Sequence, residues 1–69
     1  MSQEAISRLR TLEGRQVGVA LADGSRIDGC QLVSAGRAGV RTIWVVSNGT
    51  DTFVPLPAVL AVWEVDQAA

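Results

Sequence analysis

Polar and apolar positions change period along the chain, and each change marks an element. Residues 2–12 follow a helical repeat, with Ile6 and Leu9 three apart on one face. Glu4 and Arg8 are spaced for an i,i+4 ion pair, Ser2 stands where a cap is needed, and Gly14 stands where the helix stops. A helix this short is marginal in water, so it is expected to dock on the open end of a sheet. From Arg15 the period becomes two. Val17, Val19 and Leu21 alternate with Gln16, Gly18, Ala20 and Ala22, the pattern of a half-buried strand. Asp23-Gly24 predicts a hairpin turn. The return strand runs from Ser25 to about Val33 with Ile27 facing the core, and Gly29 in its middle predicts a sharp bend or bulge. Ser34 to Gly39 reads as a small flexible loop.

The third strand runs from Val40 to Ser47, through the apolar stretch Ile43-Trp44-Val45-Val46. Asn48-Gly49-Thr50-Asp51 is the next turn, and Thr52 to Leu56 the fourth strand. A four-residue loop sets Val46 opposite Phe53 and Val45 opposite Val54, which makes both faces of the hairpin apolar. One face then belongs to the core and the other to a partner chain. Pro55 and Pro57 cannot donate to a ladder, so they end the strand and lead into a tight turn at Pro57-Ala58-Val59. Leu60 to Val65 is the last strand, and residues 66–69 are a short tail. The fold expected is mainly β and a single domain: a short N-terminal helix over residues 2–12, then a five-stranded, strongly bent SH3-like barrel over residues 15–65.

Composition narrows the chemistry. A chain of 69 residues makes one domain, and at this size folding buries only about 60% of the unfolded surface. Disulfides, metals and oligomerisation are the usual supplements. Cys30 is the only cysteine, and histidine is absent, so neither an internal disulfide nor a common zinc site is expected. Oligomerisation remains. No His base, Lys nucleophile or Tyr acid is present, so no enzyme and no cofactor are expected. Cys30 reads as a small buried residue, and Trp44 and Trp63 read as core or interface rather than base-stacking platforms. Asp23 and Asp28 flank a turn and read as turn chemistry and solvation. Six Arg oppose seven acids for a net charge of −1, unevenly spread. Residues 1–41 hold all six Arg against four acids, a local charge of +2, whereas residues 42–69 hold three acids and no base. No apolar stretch reaches a membrane span and the N-terminus is charged, so a cytoplasmic protein without membrane contact is expected.

Two segments carry a family likeness. The first is Gly14-Arg15-Gln16-Val17-Gly18-Val19-Ala20-Leu21-Ala22-Asp23-Gly24-Ser25-Arg26-Ile27-Asp28-Gly29: alternation, an Asp-Gly turn, an apolar residue and a mid-strand Gly. The second is Phe53-Val54-Pro55-Leu56-Pro57-Ala58-Val59-Leu60-Ala61-Val62, with Ala58-Val59 at its centre. With the helix before them, they resemble the Sm-like family, most closely its bacterial Hfq branch; a generic SH3-like barrel is the alternative. The resemblance implies a closed homo-oligomer of six or seven subunits, in which the fourth strand of one chain pairs with the fifth of the next. The subunit-interface candidates are then Ile43, Val45, Val54, Leu56, Leu60 and Val62. It also implies RNA, but the family's pore-lining Tyr-Lys-His run is replaced here by Pro55, Leu56 and Pro57, and its adenine-stacking Tyr by Ala20. What remains is a rim, with Arg8, Arg10 and Arg37 as RNA-binding candidates. Two functions follow as expectations: a non-enzymatic ring-forming protein that binds RNA weakly through an Arg rim, or a protein-interaction or scaffold module with no RNA.

Overall fold

The computed structural model describes residues 3–65. A short helix, α1 (Gln3–Arg10), precedes five antiparallel strands: β1 (Gln16–Leu21), β2 (Arg26–Ala35), β3 (Thr42–Ser47), β4 (Thr50–Pro55) and β5 (Val59–Glu64). The strands form one sheet in the order β4-β3-β2-β1-β5. The mainly β architecture and the element order agree with the periodicity. The positions of Ser2 and of residues 66–69 lie outside the described residues.

Period-two alternation puts one face of the sheet inside. Val17, Val19, Cys30, Leu32, Ala35, Ile43, Val45, Val54, Leu56 and Val59 are buried together, and Leu9 of α1 closes one end of this core. Fully burying a Val, Leu or Ile contributes about 1.5–3 kcal/mol, so the core is the main source of stability. Ile6 and Leu12 pack beside Leu9, as a short helix requires if it is to stay folded.

The sheet bends at β2. Asp28 and Gly29 together face the single residue Gly18 across β1, and Gly29 takes a φ of +66° that glycine adopts without strain. A second extra residue, Val33, shifts the β2–β3 register between Leu32 and Ser34. β2 therefore continues to Ala35, through the first two residues of the segment expected as a loop. Gly36, at φ +61°, then turns the chain into a single 3-10 turn over Arg37–Gly39.

The expected barrel does not close: β4 and β5 stand at opposite ends of the sheet and do not pair with each other. The link between them is one 3-10 turn over Leu56–Ala58. The Leu56 N–H donates to Arg41 O (2.9 Å), and the Ala22 N–H donates to Ala58 O (2.8 Å). The two ends of the turn are thus tied to opposite sides of the sheet, and β5 leaves to pair with β1.

The β3–β4 hairpin has a register different from the expected one. Its loop is Asn48-Gly49, two residues at φ +53° and +76°, a type I′ turn. Ser47 therefore faces Thr50, Trp44 faces Phe53 and Ile43 faces Val54, two positions away from the Val46–Phe53 and Val45–Val54 pairs.

Candidate interaction surface

The arginines are built into the fold. Arg10 reaches from α1 to the end of β2, where Nε donates to Ala35 O (3.1 Å) and Nη2 to Gly36 O (2.8 Å). Arg37 lies beside it and donates to Glu13 from Nε (3.0 Å) and Nη2 (2.5 Å). Glu13 also accepts the Ala35 N–H (2.9 Å). The Arg37 guanidinium, with the Ala35 N–H, outweighs partial burial and holds the Glu13 carboxyl below its usual value; Glu13 in turn raises the Arg37 guanidinium. Of the three rim candidates, then, Arg10 and Arg37 meet at one joint that fixes the helix to the sheet. Arg8 stands apart on the exposed face of α1, paired with Glu4 (3.2 Å) as its spacing predicts. Arg15 pairs with Glu64 (2.9 Å) and Arg26 with Asp28 (3.0 Å). Among the described residues, Arg41 is the one arginine whose side chain has no partner.

The interface candidates divide in two. Ile43, Val45, Val54 and Leu56 lie in the protomer's own core, so their side chains are not available to a neighbour. Both faces of the hairpin are apolar, as expected, and the core takes the face that carries these four. Leu60 is 68% exposed and Val62 half-buried, both on β5. Phe53 on β4, 60% exposed, was not among the candidates. It alternates with buried Val54 and so lies on the outer face.

That outer face carries an ordered aromatic pair. Phe53 and Trp44 stack with centroids 5.6 Å apart and planes 27° from parallel. The Trp44 indole N–H donates to Asp51 Oδ1 (3.1 Å), which fixes the ring. Asp51 is the one described carboxylate with neither a cationic nor a backbone partner: Glu4, Glu13, Asp28 and Glu64 each face an arginine, and Asp23 accepts the Ser25 N–H and hydroxyl. Towards the other end of the sheet Trp63 lies over Gly18, with the Arg26 guanidinium 5.4 Å from its ring centroid. Neither tryptophan belongs to the core; both cover the outer face of a strand.

Cys30 is buried, its thiol faces Val17 O (3.5 Å), and burial pushes its pKa up, so it is a poor nucleophile. Among the described residues no three His, Cys, Asp or Glu converge as metal ligands, and no helix is long and apolar enough to cross a membrane. What the surface does present is two strands, β4 and β5, each hydrogen-bonded on one side only. No family model, no curated protein and no solved structure matches this chain.

Proposed function

We propose that the chain is a non-enzymatic protein-interaction module that assembles with copies of itself through the open edges of its sheet. The observation that carries this reading is the pair of end strands, β4 and β5, with Phe53 and Leu60 exposed on them. An unpaired edge is a template for another strand, and a chain this small gains stability by sharing it. The six- or seven-fold ring that the Sm-like resemblance implies is one form such an assembly takes.

The rim reading is the weaker of the two. Five of the six arginines are committed to carboxylates or carbonyls, and the net charge is −1. Phosphate binding draws on free basic groups and grows with their number. The interaction reading needs no such groups.

Light scattering on the eluting protein, over about 10 µM to 1 mM, is expected to give a mass above the protomer's 7.3 kDa that rises with concentration or sits at a fixed multiple. A mass of one protomer throughout would sink the proposal. In parallel, uridine-rich and adenine-rich oligonucleotides at low salt are expected to show no shift. A salt-sensitive shift lost in Arg8→Ala would return the rim to first place.

A further inference from the structure

We infer that the β4 edge is a two-fold docking site for β4 of a second copy, antiparallel, with the two Phe53 residues opposite each other. This rests on the self-association reading and adds to it which edge is used and by what symmetry.

The two edges are not equivalent. β5 is guarded: Leu60 is an extra residue that breaks its register with β1, and the charged Glu64 closes its end. Bulges and charges are how natural sheets blunt an edge. β4 also carries a charge, Asp51, and a proline, Pro55, but it has no bulge. It pairs with β3 residue for residue from Ser47–Thr50 to Thr42–Pro55.

Backbone parity then selects the partner. The Leu56 N–H points to Arg41 on β3, so in an antiparallel ladder Val54 and Thr52 also bond inward to β3. Asp51, Phe53 and Pro55 turn their backbone groups to the open side, and Pro55 is the position where a missing N–H leaves β3 unaffected. The side chains of these three residues lie on the outer face, alternating with buried Val54. On β5 the Val65 N–H points to Gln16 O, so Val62 and Glu64 are the residues turned outward. Val62, opposite buried Val19, lies on the core face. Directly opposed residues of an antiparallel pair share a face. Pairing β4 with β5 of a neighbour would set the outer face of one sheet beside the core face of the next. Pairing β4 with β4 matches face to face.

The side chains fit the same symmetry. With Phe53 opposite Phe53, the two exposed rings meet, each backed by its own Trp44. Asp51 comes opposite Pro55 of the second copy. One six-residue strand pair buries less than the roughly 1,200 Å² of a standard interface, so a reversible dimer is expected.

The test uses the full chain. Phe53→Cys is expected to form a symmetric disulfide within minutes under mild oxidation, because opposed residues that exchange hydrogen bonds hold their Cα atoms about 5.5 Å apart. Ala61→Cys, on β5, is expected to stay monomeric on a non-reducing gel. Phe53→Pro removes an N–H that β3 does not use; it is expected to keep the β-rich circular dichroism and to lose dimerisation by at least tenfold. Cross-linking through Ala61→Cys in preference to Phe53→Cys, or a six- or seven-subunit mass unchanged by Phe53→Pro, overturns this inference and leaves self-association standing. A protomer mass for the wild type at every concentration overturns both.

Discussion

Gly18 is the residue at which one atom decides the local packing. Its neighbour Trp63 lies flat over it, and a Cβ built there would sit 2.5 Å from the indole ring. The ring in turn carries Arg26. Because β1 and β5 are held through this contact as well as through hydrogen bonds, Gly18→Ala is expected to destabilise the protein by about 1–3 kcal/mol, the usual cost of overpacking. Urea denaturation checks the magnitude. Trp63→Leu in the same chain should recover part of the loss; an equal loss with and without the indole would mean that β1 simply tolerates no side chain there. Val54 is the opposite case. It is 6% exposed in the core, so Val54→Glu is expected to unfold the protomer rather than to separate subunits. Its circular dichroism distinguishes the two outcomes.

At the scale of elements, the joint between α1 and the end of β2 depends on one carboxylate. Glu13 accepts from Arg37 and from the Ala35 N–H, and its pKa is held below the usual 4.5. A carboxyl depressed in the folded state contributes stability above its unfolded pKa and loses it as the pH falls through the folded one. Glu13→Gln is therefore expected to destabilise the protein at pH 7, and the gap to wild type is expected to shrink in titrations taken below pH 4.5. A gap of equal size at pH 3 and pH 7 would remove Glu13 from this role. The same joint marks the limit of what the chain makes legible. Ile6, Leu9, Val17, Val19 and Leu21 announce α1 and β1 by period alone, and Asp23-Gly24 and Gly29 announce the hairpin and the bend. The contacts of Arg10 and Arg37 stayed hidden because Arg10 bonds residues 25 and 26 positions away, and no local pattern encodes that. The β3–β4 register was legible in principle. Asn48-Gly49 favours a two-residue type I′ turn, and reading it as four residues displaced every pair in the hairpin. A shift of two residues keeps every side chain on its face; what the pattern leaves open is which of two apolar faces is the inner one, and that choice is what separates buried Val54 from exposed Phe53.

At the scale of the molecule, what matters is that a sheet bent twice along β2 still ends in two free strands. The buried cluster reaches from Leu9 to Val59 and uses the inner face of every strand. The protomer has no further apolar side chains in the core to add, so extra stability has to come from the edges. If β4 is shared between copies, stability becomes a function of concentration, because the dimer draws the folded state away from the unfolded one. For a domain of this size a gain of 1 kcal/mol raises Tm by about 4–8 °C. A tenfold rise in protein concentration adds about 0.7 kcal/mol per chain in a two-state dimer, and Tm is expected to climb by about 3–5 °C for each such step. In Phe53→Pro the climb should vanish while the transition remains cooperative, since the Phe53 N–H serves the open side of β4 and not its ladder with β3. A Tm that climbs equally in wild type and variant would place the shared surface elsewhere, with Leu60 on β5 the next position to change. A Tm independent of concentration in both would mean that the bent sheet is stable with its edges in water.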